Sequence, residues 1–310
     1  MRAAVPTTAA MLSDWIQAAR PRTLAAGAAP VAVGTALAGT VTAIDWLAAA
    51  GCLAGAVLIQ IGCNYANDAF DGLKGTDGPG RLGPTRAVAS GRISARAMLV
   101  ATGVVLGLAF LIGLYLTAKA GWGIFILGVV SLVCAVAYTA GPYALAYLGL
   151  GDLFVFLFFG LAAVLGSAWV QVATRGEALP WTWLVIAAAV GLQATAIIVV
   201  NNLRDIPTDR VAGKRTVAVR IGDAATRHYY LLLHLTASTL LAVAAWQWLP
   251  WLEVPAGIAW VGGIGCWLGL RRRQGADLNP WLGRTAALEL VTAIALVVVL
   301  TLAPPGRSGV

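Results

Sequence analysis

Apolar stretches separated by short polar ones run along almost the whole chain. Nine of them, at roughly 23–40, 46–66, 95–117, 121–140, 145–170, 180–202, 228–248, 254–270 and 284–303, approach or exceed the length of about 20 residues that an α-helix needs to cross a bilayer core. Membrane β-barrels read instead as short alternating segments, a pattern this chain lacks. The expectation is an all-α integral membrane protein of about nine helices, forming one domain over 23–303. A cytoplasmic segment, 1–22, precedes it and a tail, 304–310, follows. No cleavable signal peptide is expected, because Met1 to Thr23 has no apolar run of its own. Ser13 to Ala19 read as a short interfacial helix, with Trp15 at headgroup level.

Composition agrees. Of 310 residues, 60% are apolar and 11% charged, where soluble domains average about 25% charged. With the N-terminus placed in the cytoplasm and nine crossings, all of the 21 Lys and Arg except Lys119, Arg175 and Arg307 fall on the cytoplasmic side. That asymmetry is the positive-inside signature, so the net charge of +8 reflects topology and an anionic ligand, and nucleic acid is not an expected partner. Cys52, Cys63, Cys134 and Cys266 have no metal-ligand spacing, and His228 and His234 are six apart, which does not match a helical i, i+4 pair.

Two polar clusters break the apolar pattern. Asn64, Asn67, Asp68 and Asp71, followed by Lys74, Gly75 and Asp77, close the second span; Asn201, Asn202, Arg204, Asp205 and Asp209, followed by Gly213, Lys214 and Arg215, close the sixth. Four spans separate them, so both emerge on the same side. Carboxylates beside a bilayer core are costly and point to function. Asn64, Asp68 and Asp71 share a helical face, as do Asn67 with Asp71 and Asn201 with Asp205. Pro207 is expected to end the regular helix and turn Asp209 back from a loop. Two loops, about 72–94 and 204–227, are expected over the site, the first made flexible by its glycines.

Magnesium takes oxygen ligands and is commonly held by one or two carboxylates plus substrate phosphates. Two acidic clusters trailed by cations therefore read as a site for two Mg²⁺ ions and a diphosphate, with Lys74, Arg81, Arg86, Lys214 and Arg215 neutralising the remaining charge. The alternative, a salt-bridge network at helix ends, explains the charges but not two Asn-rich clusters on one side. A diphosphate above apolar helices suggests a lipid diphosphate. Metals and cations would stabilise the leaving group, and Tyr65, Phe70, Tyr138, Tyr143 and Tyr147 could face an allyl cation, or form only an interfacial aromatic belt.

These motifs, with Tyr138, Thr139, Gly141 and Pro142 and then Tyr147, Gly149, Leu150 and Gly151, resemble the UbiA superfamily of membrane prenyltransferases. Within it, the longer second motif is most similar to the branch that prenylates 1,4-dihydroxy-2-naphthoate in menaquinone biosynthesis. The resemblance implies a UbiA-type bundle in the bacterial cell membrane with its active site at the cytoplasmic face. It implies transfer from a polyprenyl diphosphate to 1,4-dihydroxy-2-naphthoate, with loss of CO2 and diphosphate, giving demethylmenaquinone. Asp68, Asp71, Asp77, Asp205, Asp209 and Asn67 would hold Mg²⁺, with Asn64, Asn201 and Asn202 as supporting ligands or orienters, and Lys74 and Tyr138 would assist catalysis. Arg20 and Arg22 would receive the naphthoate carboxylate beside Tyr138 and Tyr147, or serve only as a positive-inside anchor. Asp152 stands where the resemblance leads us to expect Glu, as a substrate contact or the partner of a basic loop. The rival readings are the same chemistry on another aromatic or lipid acceptor, and an ion transporter. A transporter would continue its ionisable groups across the bilayer, and here the far side is nearly bare.

Overall fold

The computed structural model describes residues 8–76, 81–141, 144–173 and 179–303, and among these every regular element is a helix. In chain order they are α1 (Thr8–Ala19), α2 (Pro21–Gly39), α3 (Trp46–Lys74), α4 (Ala95–Ala120), α5 (Trp122–Ala137), α6 (Gly151–Val172), α7 (Trp181–Val211), α8 (Val217–Gln247), α9 (Glu253–Leu270) and α10 (Asn279–Thr301). Seven of these are long and apolar enough to cross a bilayer; two shorter apolar helices, Thr23–Gly39 and Trp122–Ala137, coincide with the other two expected spans. The protein is a multi-pass membrane protein. Large apolar side chains such as Trp46, Leu111 and Trp246 point outward, as they would towards lipid.

Both motif helices run further than hydropathy suggests. α3 carries the first cluster to Lys74 and stops because Gly75 turns left-handed at φ 69°, a conformation glycine adopts without penalty. α7 continues through Pro207 to Val211. The expected break at Pro207 is therefore absent, and the expected loop 204–227 is reduced to a short turn after Val211 and a kink at Gly222 (φ 82°), which sets residues 217–221 apart from the rest of α8. Proline removes one rung of the helical ladder, but this one falls near the helix end. Asp209 thus stays one turn beyond Asp205 on the same face.

α6 contains a π-helical turn, Phe156–Ala162. Such turns re-aim the side chains around them. Here α6 meets α7 at glycine on both sides: a Cβ on Gly160 would lie 2.6 Å from the Gly191 Cα. The main apolar core joins α2, α6, α7, α8 and α10 around Val33, Leu37, Trp183, Ile186 and Leu241.

Candidate active site

The two polar clusters meet at one end of a cavity of about 1140 Å³. From α3 it is lined by Asn64, Asn67, Asp71 and Lys74, from the following loop by Arg81 and Arg86, and from α7 by Asn201, Asn202, Asp205 and Asp209. Lys214, Arg20 and Tyr138 complete the polar end. Phe110, Leu114, Phe125, Phe158 and Phe159 line the apolar remainder.

Asp71 is the hub. Its Oδ1 accepts from the Tyr147 hydroxyl at 3.0 Å and its Oδ2 lies 3.3 Å from Lys214 Nζ. Lys74 and Lys214 both lie over the Tyr147 ring, 4.5 and 4.9 Å from its centroid. Tyr147 therefore organises the two ammonium groups. It is not among the cavity-lining residues, so its expected contact with the naphthoate gives way to this role. Burial, with the Asp71 charge among the lesser causes, pushes its phenol up to about 12. Lys74 also donates to the carbonyls of Thr139 (2.7 Å) and Gly141 (3.5 Å), and the Thr139 hydroxyl donates to Asn67 Oδ1. The Asn64 amide donates to the Ala19 carbonyl, tying α3 to the end of α1.

In the second cluster Arg204 forks onto Asp205 at 2.7 and 2.5 Å, the planar pairing its guanidinium favours. It also donates to Asn201 Oδ1 and to Asn279 Oδ1, both at 2.8 Å, and Asn279 in turn donates to the Leu82 carbonyl. Arg204 and Asn279 thus hold the 81–93 loop against α7.

Asp68 departs from expectation. It is 1% exposed and accepts from the backbone N–H groups of Val88 (2.9 Å) and Ala87 (3.1 Å). It does not line the cavity; its carboxylate pins the loop that carries Arg86. Arg215 is also displaced from its expected role: it is exposed and absent from the cavity wall, while its backbone N–H bonds to the Tyr147 carbonyl. Asp77, Pro142 and Tyr143 lie outside the described residues, as does the Arg22 side chain.

Arg20 adopts left-handed backbone geometry, φ 55°, which is uncommon for a residue with a Cβ. Its Nε and Nη2 are buried without hydrogen-bond partners. Burial lowers its pKa, and the nearby charges of Cys63, Asp68 and Asp71 oppose that shift. Sequence reasoning noted Thr139 only as part of the motif around Tyr138 and gave it no role; it missed Asn279, far away at the start of α10, which had no signal.

Asp209 lies within electrostatic reach of both Asp205 and Asp71. Among the described residues no three acidic, His or Cys side chains form a ready-made metal cage. The donor set is all oxygen, which suits Mg²⁺ completed by phosphate and water ligands, and close carboxylates of like charge favour a cation between them.

A family model for the UbiA prenyltransferase family matches residues 28–290. The chain is 40% identical to the 1,4-dihydroxy-2-naphthoate octaprenyltransferase of Mycobacterium tuberculosis, covering 93% of this chain and 96% of that one. It is 36% identical to the enzyme of the same name from Escherichia coli, covering 91% and 93%. Its fold is similar to that of a UbiA homolog from Archaeoglobus fulgidus bound to DMAPP and Mg²⁺, with TM-score 0.63 and 15% identity over 92% of this chain and 99% of that one.

Proposed function

This chain belongs to the UbiA prenyltransferase family, and we propose that it transfers a polyprenyl group from its diphosphate to 1,4-dihydroxy-2-naphthoate, releasing CO2 and diphosphate and giving demethylmenaquinol, which is oxidised to demethylmenaquinone in a separate step. The observation that carries this reading is the single cavity in which both acidic clusters and two lysines face an apolar chamber. The names of the similar relatives supply the acceptor.

The diphosphate sits between α3 and α7. Asp71, Asp205 and Asp209, with Asn67 and Asn201, would hold Mg²⁺, two ions being expected from the paired clusters. The metal supplies charge neutralisation of the leaving diphosphate. Lys74 and Lys214, set in place by Tyr147, and Arg81 and Arg86, set in place by their loop, bind phosphate oxygens as charge builds on them. Asn64 and Asn202 orient neighbouring groups. The tail occupies the apolar chamber. The ring carbon bearing the carboxylate attacks the allylic carbon as the carbon–oxygen bond to diphosphate breaks, with Tyr138 beside the developing positive charge. Loss of CO2 then restores aromaticity. The unpartnered nitrogens of Arg20 suit the naphthoate carboxylate.

The remaining elements of the proposal are nine crossings, a cytoplasmic N-terminus and a site at the cytoplasmic face of a bacterial plasma membrane. They rest on the distribution of Lys and Arg. The reading is tested in a bacterium lacking its own 1,4-dihydroxy-2-naphthoate prenyltransferase. Expression of this chain should restore menaquinone in lipid extracts, and Asp71→Ala and Asp205→Ala at matched levels should not. Restoration by either variant would remove the metal assignment; failure of the wild-type protein, correctly inserted, would move the acceptor elsewhere.

A further inference from the structure

We infer that Asp152 is a specificity residue that accepts a hydrogen bond from a phenolic hydroxyl of the aromatic acceptor. This rests on the prenyl-transfer reading above and adds the chemistry by which the acceptor is recognised.

Asp152 is 6% exposed, yet it lines the same cavity as Asp71 and Asp205. Its Oδ1 accepts from the Asn202 amide at 3.2 Å, and the Tyr229 hydroxyl is its second donor. Among the described residues no lysine or arginine pairs with it. A carboxylate offers about four acceptor positions, and the donors here are Asn202, Tyr229 and the residue's own backbone N–H, so one position is left for a ligand; a buried acceptor left unfilled is costly. A purely bracing role between helices would not need the side chain at the cavity wall.

The surroundings suit a flat ring. Asp152 stands one turn before the π-helical segment of α6, and Phe154 and Phe158, both on the cavity wall, stack at 5.8 Å with a 29° interplanar angle. A Cβ on Gly151 would come within 2.8 Å of the Tyr138 hydroxyl, so the missing side chain lets Tyr138 sit against this turn. Tyr138 lies within electrostatic reach of both Asp152 and Arg20. The cavity therefore presents both a guanidinium with two unpartnered nitrogens and an acceptor-only carboxylate within reach of Tyr138. A hydroxylated aromatic acid matches that pair: carboxylate to Arg20, hydroxyl to Asp152. A site built around a substrate hydroxyl discriminates strongly against analogues without it, because its own polar group is then stranded.

The test uses the full-length protein in lipid nanodiscs with a polyprenyl diphosphate, Mg²⁺ and 1,4-dihydroxy-2-naphthoate. The probes are 1-hydroxy-2-naphthoate and 4-hydroxy-2-naphthoate, each lacking one hydroxyl, measured as competitors of the natural acceptor. The wild-type protein should bind at least one of them about tenfold or more weakly than the dihydroxy compound. Asp152→Ala should erase that disadvantage and raise the acceptor KM, while the diphosphate KM stays within about twofold; Asp152→Glu should restore part of the discrimination. Unchanged discrimination against both probes in Asp152→Ala overturns the inference. If Asp152→Ala does not fold, Tyr229→Phe, which removes one donor to the carboxylate, decides instead: a weakened discrimination supports the inference and an unchanged one overturns it. A wild-type protein that prenylates no hydroxynaphthoate would defeat the underlying functional reading instead, and is told apart by that control alone.

Discussion

Asp68→Asn separates a metal ligand from a loop anchor. Its two oxygens accept from Val88 and Ala87 at 2.9 and 3.1 Å in a site that is 1% exposed. The amide keeps one acceptor and turns an NH2 towards the other backbone N–H. One hydrogen bond to a charged group is lost, about 1.5–3 kcal/mol, and one buried N–H is left without a partner. Taken as about 3 kcal/mol, that is roughly a hundredfold in the docking equilibrium of the loop. Arg86 sits directly beside the pinned residues, so the loss should appear as a diphosphate KM raised about 10- to 100-fold. The half-saturating Mg²⁺ concentration should stay within about twofold, because the carboxylate does not face the cavity. Initial rates against diphosphate and against Mg²⁺, at matched protein, give both numbers, and Asp71→Asn supplies the contrast. The reasoning fails if Asp68→Asn shifts the Mg²⁺ dependence as far as Asp71→Asn does while leaving the diphosphate KM alone.

Other outcomes follow from the same geometry. Lys214→Ala removes a cation 3.3 Å from Asp71 and should raise the diphosphate KM about tenfold with little change for the acceptor; equal effects on both would contradict a phosphate role. The Tyr147 phenol is pushed up to about 12, above its free value of about 10, so it keeps its proton and donates to Asp71 throughout the alkaline range usually assayed. Tyr147→Phe should lower kcat without altering the alkaline side of the pH–rate profile below pH ~10, and loss of an alkaline limb in that variant would refute this. Gly160→Val places a side chain where a Cβ alone would lie 2.6 Å from Gly191 Cα. Overpacking of this kind costs about 1–3 kcal/mol and should lower the melting temperature in detergent, whereas Gly107→Ala, with nothing within 4 Å, should not.

Hydropathy located the membrane helices well because burying a helix in lipid requires a long apolar run whatever its neighbours are. It misplaced the ends of α3 and α7 because it registers where side chains become polar, and the backbone hydrogen bonds of Asn64 to Lys74 and Asn201 to Val211 continue past that point. The pairing of the two clusters was legible from their even separation in spans. The direction of each carboxylate was not. Asp68 and Asp71 are three residues apart on one helix, yet one faces a loop and the other the cavity, a choice made by the backbone N–H groups of residues 87 and 88. Asn279 was invisible for a similar reason: nothing near position 279 signals that its amide joins Arg204 to the Leu82 carbonyl.

The central claim is tested most directly by incubating the purified protein in lipid with 1,4-dihydroxy-2-naphthoate, a polyprenyl diphosphate and Mg²⁺, with and without chelator, and weighing the products. The account predicts a prenylated naphthoquinol, recovered as the quinone after oxidation in air, formed with stoichiometric CO2 release and abolished by chelation. Product of the same mass at full rate under chelator, or prenylation confined to a different acceptor in a parallel panel, would contradict it.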